Sequence, residues 1–452
     1  MSEIGKSLID EYGNIHHLSS ELARGGQGVV FRTKDVDLAI KQPLGPDGQP
    51  DGNRNVSEIF RRVRTLPLPK GIQISLPLAI LRDEPGYVMK LLGEMKPFSD
   101  FSLDGEKRAE MAKTELPVWL SGIQDVKLAM ELAYYAQTGS TRRRLYSLYK
   151  CAAILARLHN AGIVYGDISA NNVFIGKDIP CDCWLIDADN LRLELAAGGH
   201  SVYTPHLGAP EIVQGKDCSR PRTDCWAFAV MAFQLLALCH PFIGKKVLEP
   251  DEDNSWDADT SDNGPVVDMD EQAYAGLLPY IDDEEDDSNA LPGGGLPRSL
   301  ILTPQLQRLF QETFGAGRLQ PHRRPSMAFW ALELARAFDN SLICPSCQMS
   351  YYYTSDTDKC PYCQTPTSEF ALVRTDRWQK VLCGDAKHVF ECAIPHRLFH
   401  PFSLANGDMD EYEAAVDIAN RQVTSVRGTK TLPPDLAFEI ISCGDVHKEN
   451  AK

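Results

Sequence analysis

Short apolar, β-flavoured runs lie on both sides of a glycine cluster in residues 22–43, LARGGQGVVFRTKDVDLAIKQP, a pattern that predicts a β-hairpin. In NVSEIFRRVRTLP (55–67) the apolar positions follow helical spacing, so a short amphipathic helix closed by Pro67 is expected. The stretch ISLPLAILRDEPGYVMKLL (74–92) reads as two strands around a Glu-Pro-Gly turn. From about 106 to 159 the pattern is helical and includes RRRLYSLYKCAAILARLHNAG, which a glycine ends. GIVYGDISANNVFIG (162–176) then places Asp167 and Asn172 between two short apolar runs, and a strand, CWLIDADNLRLE, follows. Helical patterning resumes to about 339, and strand-like pieces (RWQKVLC, HVFECAI, LAFEIIS) occupy 370–443.

Charge changes this picture in one place. The chain has 452 residues and a net charge of -16, but sixteen of its acidic residues lie between 247 and 297, where Lys and Arg are absent. Outside that segment, 46 basic residues face 46 acidic ones, so there is no broad basic surface for nucleic acid. The segment reads as a solvated loop with a lesser prospect of docking a basic partner. The most apolar run, WAFAVMAFQLLALC (226–239), is short for a membrane span and fits a buried helix. The N-terminus lacks a basic region followed by an apolar core, and thirteen cysteines without an export signal suit thiols or metal ligands better than disulfides. A cytoplasmic protein without membrane partners is the expectation.

Gly25, Gly26 and Gly28 can serve a hairpin turn or let backbone amides approach phosphate oxygens. Lys41 lies on the apolar strand that follows; it either snorkels from an edge or neutralises a polyphosphate. Glu58 is the only glutamate between Lys41 and Glu84, and it is either a solvated helix residue or the partner that orients the lysine. Asn172 and Asp187 supply hard oxygen ligands of the kind Mg²⁺ takes, which leaves Asp167 to orient a hydroxyl and accept its proton.

The order of glycine loop, strand lysine, helix glutamate, Asp-x-x-x-x-Asn, strand aspartate and Ala-Pro-Glu resembles the bacterial eukaryotic-like Ser/Thr protein kinase family. GAPEI (208–212) resembles the end of an activation segment. TDCWAFAV (223–230) resembles the central helix whose aspartate, here Asp224, braces the catalytic loop. QPHRRPS (320–326) resembles the helix start whose arginine, here Arg324, pairs with Glu211. The resemblance covers about 12–340 and implies a bilobal α+β fold, with a β-rich lobe over 12–95 and a helical lobe over 96–340 interrupted by the acidic insertion. It implies ATP and Mg²⁺ as cofactors and Lys41, Glu58, Asp167, Asn172 and Asp187 as the catalytic set. Ala23, Gly25, Gly26, Gly28, Val30, Ala39, Lys41, Met89, Lys90, Leu92, Asn172 and Asp187 would hold the nucleotide. By the same match Thr204 contacts Asp167 and favours a Ser/Thr protein substrate, with phosphatase or adaptor partners a weaker expectation. Three departures stand out: Tyr165-Gly166 for His-Arg, Ser169 for lysine, and Ala188-Asp189 for Phe-Gly. They support an alternative, a nucleotide-binding pseudokinase scaffold.

Two Cys-x-x-Cys pairs, Cys344/Cys347 and Cys360/Cys363, stand twelve residues apart. That spacing lets four thiolates meet one tetrahedral Zn²⁺ in a filled, structural site, a zinc ribbon over 341–368. Cys383, Cys392, His396 and His400 fit no common ligand pattern and read as core or surface residues. A small β-rich module over 369–445 and a polar tail, 446–452, complete the expected organisation.

Overall fold

The computed structural model describes residues 5–25, 28–45, 47–51, 56–177, 179, 181–194, 203–249, 268–291, 294–368, 370–374, 379–383, 389–392, 414–417, 422–425, 428–431 and 437–441. Gly26, His396, His400, residues 250–267 of the acidic segment and the 446–452 tail lie outside them.

Residues 7–90 contain a six-stranded antiparallel sheet in the order β1-β2-β3-β4-β6-β5. Its strands are β1 Ser7–Ile9, β2 Ile15–Gly25, β3 Gly28–Thr33, β4 Leu38–Gln42, β5 Pro77–Ile80 and β6 Tyr87–Lys90. One helix, α1 (Val56–Thr65), buries Val56, Phe60 and Val63, the spacing of one helical face, and Val56 meets the sheet. β4 is buried on both faces, so its alternation sorts residues between two cores. Ile40 joins Val29, Phe31 and Val88 on one side, while Ala39 joins Val56, Tyr87 and Met89 on the other, with Val30 packed against them. Gly28 stands at a close approach: a β-carbon there would come within 2.6 Å of the Gln42 carbonyl oxygen, so this hairpin needs glycine for the sheet itself.

The middle of the chain is mainly helical. After a short strand, β7 (Lys96–Pro97), come α2 (Gly105–Met111), α3 (Val126–Gln137) and the 21-residue α4 (Ser140–Asn160). Asp104 and Asp125 cap α2 and α3 by accepting from backbone amides. α4 is buried along most of its length and ends where Gly162 takes φ 69°. Short strands β8 (Ile163–Val164), β9 (Val173–Ile175), β10 (Cys183–Leu185) and β11 (Arg192–Leu193) follow, then α5 (Pro210–Val213) and α6 (Pro221–Ala237). The apolar run at 226–239 is thus a core helix: Trp226, Phe228 and Phe233 are buried against Phe242, Phe314 and Trp330. Among the described residues no helix is long and apolar enough to cross a membrane. The helix Met327–Asp339 closes this part against α4.

Strands β12 (Ser341–Ile343) and β13 (Ser350–Tyr352) flank Cys344 and Cys347, Cys360 and Cys363 follow β13, and the strand pair sits on the start of α4. Ser140 Oγ accepts from the Ser350 amide at 2.9 Å, and Arg142 Nη1 donates to the Phe338 and Ser341 carbonyls at 2.8 and 3.0 Å. Seven further strands follow in two sheets, β15-β14-β20 and β16-β17-β18-β19. They are β14 Phe370–Arg374, β15 Gln379–Cys383, β16 Val389–Cys392, β17 Ala414–Asp417, β18 Gln422–Ser425, β19 Gly428–Thr431 and β20 Ala437–Ile441. Lys380 of β15 makes a buried ion pair with Asp339 at the end of the preceding helix.

Candidate functional site

Strand register builds one wall of the site. Val30 pairs with Lys41, and Lys41 pairs with Tyr87, so these three lie in a row across β3, β4 and β6. Ala39 pairs with Met89 one step along, on the same face. The residues expected around a base (Val30, Ala39, Met89) therefore share an apolar cluster beside Lys41. Lys90 is exposed with its ammonium over the Trp184 ring at 4.3 Å, Leu92 is half-buried, and Ala23 and Gly25 are exposed at the hairpin.

The opposite wall is a hairpin. Val173 pairs with Leu185, and the Ile186 amide donates to the Asn172 carbonyl at 2.9 Å, so Asn172 and Asp187 emerge at the same end. Asp187 adopts φ 60°, a left-handed conformation that aspartate tolerates better than most residues, and a 3₁₀ turn over Ala188–Asn190 follows. Lys41 Nζ donates to Asp187 Oδ1 at 2.6 Å and to Asp189 Oδ2 at 3.0 Å. The lysine is 6% exposed. Burial alone would lower its pKa, but the two carboxylates outweigh this and raise it, so the ammonium is charged.

The sequence suggests Glu58 as the partner of this ammonium. It occupies an exposed position on α1, and Lys41 is already enclosed by two carboxylates from the turn after β10. One turn further along α1, on the same face, Arg62 reaches the site and donates to the Asp189 carbonyl. Tyr87 donates from its hydroxyl to Asp189 Oδ1 at 2.8 Å. Asp189, Tyr87 and Arg62 were not among the expected site residues. The substitution of Asp for Gly at 189 was visible, but the direction of its carboxylate depends on the turn.

Asp167 is buried in the loop between β8 and β9. Its Oδ1 accepts from Thr204 Oγ1 at 2.9 Å, and Asn172 Nδ2 donates to its carbonyl at 2.9 Å. Asn190 Nδ2 lies 3.4 Å from Asp167 Oδ2, linking it to the turn that carries Asp187 and Asp189. With its nitrogen committed to Asp167, Asn172 has its amide oxygen to offer a cation. The loop is braced from below: Asp224, near the start of α6, accepts from the amides of Tyr165 and Gly166 at 2.8 and 2.9 Å. Gly166 has φ 82°, which a side chain would strain. His159 Nε2 meets the same carboxylate at 2.9 Å. Burial opposes its charge, yet the Asp224 bond prevails and raises its pKa to about 9. Glu211 and Arg324 form a two-pronged pair at 2.7 and 2.8 Å, with the arginine fully buried over Trp226.

The four cysteines converge as their spacing predicted. The ligand sulfurs of Cys344, Cys347, Cys360 and Cys363 lie within 4.8 Å of one another, with Cys344–Cys363 at 3.5 Å and Cys347–Cys360 at 3.6 Å. A tetrahedral zinc with Zn–S bonds of about 2.3 Å sets sulfurs about 3.8 Å apart, so the cage fits that ion. The two knuckles repeat one geometry. In each, the residue after the second cysteine has positive φ (Gln348 60°, Gln364 61°) and its amide donates to the carbonyl of the first (3.0 and 2.9 Å).

No family model matches the chain. Over 129 residues it is 31% identical to a protein kinase C-like protein of Cochliobolus heterostrophus, covering 28% of this chain and 10% of that one. It is 33% identical over 84 residues to a probable serine/threonine-protein kinase mkcF of Dictyostelium discoideum (18% and 12% covered). With the human serine/threonine-protein kinase Nek5 it shares 31% identity over 97 residues (21% and 13% covered). The matches thus span about an eighth or less of these relatives' length, and they make the chain similar to protein kinases over part of its sequence.

Proposed function

We propose that this protein is an ATP- and Mg²⁺-dependent protein kinase that transfers the γ-phosphate to serine or threonine hydroxyls of a protein substrate. The observation that carries this reading is the meeting of Lys41 with Asp187, 146 residues apart in sequence, at 2.6 Å beside Asp167 and Asn172. The similarity to serine/threonine-protein kinases supports it.

The residues suit the chemistry. Asp187 and the Asn172 oxygen form an all-oxygen donor set of the kind a phosphate-bound Mg²⁺ takes. When bound, that ion would neutralise charge on the phosphoryl group in transfer. Lys41, held charged in a nearly dry wall, supplies a fixed cation for phosphate oxygens. Asp167 is positioned by Asn172 and Thr204 to orient a hydroxyl and take its proton. Val30, Ala39 and Met89 offer an apolar surface for a base. The domain scheme, with a kinase-like unit over 12–340, a zinc ribbon over 341–368 and a β-rich module over 369–445, belongs to the same proposal. Its test is transfer of ³²P from ATP to the protein itself or to a generic protein substrate, abolished by Asp167→Asn.

One observation favours a second reading. Asp189, buried beside Lys41, adds a carboxylate where phosphates would need positive charge. A scaffold that binds nucleotide without turnover would give a Mg²⁺-dependent thermal shift with ATP and no ³²P transfer.

A further inference from the structure

We propose that Asp189 is the positioning residue for Lys41, the role the sequence suggested for Glu58. Tyr87 fixes its carboxylate, and Arg62 fastens its backbone to α1. The purpose of this clamp rests on the kinase reading; its existence rests on contacts alone.

Lys41 faces two carboxylates, and they are not equivalent. Asp187 is 16% exposed in its side chain and sits at the end of the β9–β10 hairpin beside Asn172, where a cation would be held. Asp189 is 4% exposed, and both its oxygens are engaged: Tyr87 donates to Oδ1 and Lys41 to Oδ2. A carboxylate claimed by a divalent cation cannot remain the sole anchor of an ammonium. Asp189 can, because the row Val30–Lys41–Tyr87 places a second donor next to the lysine. A glycine at 189 would leave the Tyr87 hydroxyl and Lys41 without this acceptor. Arg62 donates to the Asp189 carbonyl and so ties the turn to α1 through the backbone, where a helix glutamate would have tied it through the lysine. The position of α1 and the position of the ammonium are coupled through the 188–190 turn.

The test is a thermal double-mutant cycle on the full chain without added nucleotide or Mg²⁺, so that it reads the clamp and not turnover. Asp189→Asn and Lys41→Met are each expected to lower Tm by roughly 3–8 °C, and their combined loss to fall short of the sum by at least about 3 °C. Glu58→Gln with Lys41→Met is expected to be additive. Tyr87→Phe, which removes one hydroxyl and disturbs folding least, is expected to show a smaller coupling of the same sign. In the transfer assay Asp189→Asn should lower kcat by roughly 10- to 100-fold with KM for ATP changed less than about 5-fold, and Asp189→Glu should recover part of the loss. Additive losses for Lys41 with both Asp189 and Tyr87, or a coupled Lys41–Glu58 pair, would overturn the proposal. Wild-type protein that shows the coupling and transfers no phosphate upholds the clamp and removes the kinase reading instead.

Discussion

The two candidate sites of this chain are assembled in opposite ways. The cysteine cage draws all its ligands from twenty consecutive residues, 344–363, on two knuckles of the same local geometry. The other site draws Lys41, Asp167, Asn172 and Asp187 from a sheet, a loop and a hairpin separated by up to 146 residues. A local cage depends on short-range turns and on the ion it would hold; a distributed site depends on the registers of several elements at once. The first should therefore fail through its metal and the second through single side chains, with the surrounding fold intact.

The sharpest way to break this contrast is to remove the metal. Cys347→Ser or Cys360→Ser is expected to reduce bound zinc from one equivalent to near zero by elemental analysis, and to unfold the 341–368 unit. Structural zinc binding contributes on the order of 10 kcal/mol to so small a fold. Because β12 and β13 rest on the start of α4, the loss should also lower the Tm of the helical part. Unchanged Tm after zinc loss would make the two regions independent. In the distributed site, Lys41→Met or Asp167→Asn should cut phosphate transfer by at least about 10³-fold while the circular dichroism spectrum is kept.

Arg324→Ala sharpens the contrast further, since it acts on the support of the distributed site. It leaves Glu211 without its buried partner and should cost about 3–5 kcal/mol in denaturant unfolding. The smallest effect concerns pH. His159, raised to about 9 by Asp224, is charged in the folded state where the unfolded chain has already lost its proton. Its contribution is complete below pH about 6.5 and is lost as pH rises toward 9. Wild type should lose about 1–3 kcal/mol across that window, and His159→Gln should flatten the profile.

Much of this was legible in the sequence. The β-flavoured runs at 22–43 and helical spacing at 55–67 correspond to β2–β4 and α1, and the RRRLYSLYKCAAILARLHN pattern lies within α4. The apolar run at 226–239 largely coincides with α6. The cysteine spacing was enough to anticipate the cage. What was not legible was the partner of Lys41. In the sequence Glu58 is the only glutamate between Lys41 and Glu84, a criterion of identity and not of direction. Asp189 stands in the sequence as a departure from glycine, but its carboxylate turns toward Lys41 only because Asp187 takes a left-handed conformation and a 3₁₀ turn follows.

By itself, then, the sequence determined the elements and the chemistry on offer: the period of each strand and helix, the four thiols, and the carboxylates, amide and ammonium of the distributed site. These follow from local propensities and spacing, which act over a few residues. The tertiary structure alone decided which of those groups meet. Whether the ammonium faces Glu58 or Asp189 depends on strand register and on how α1 lies against the 188–190 turn, and both are set by packing between residues far apart in the chain.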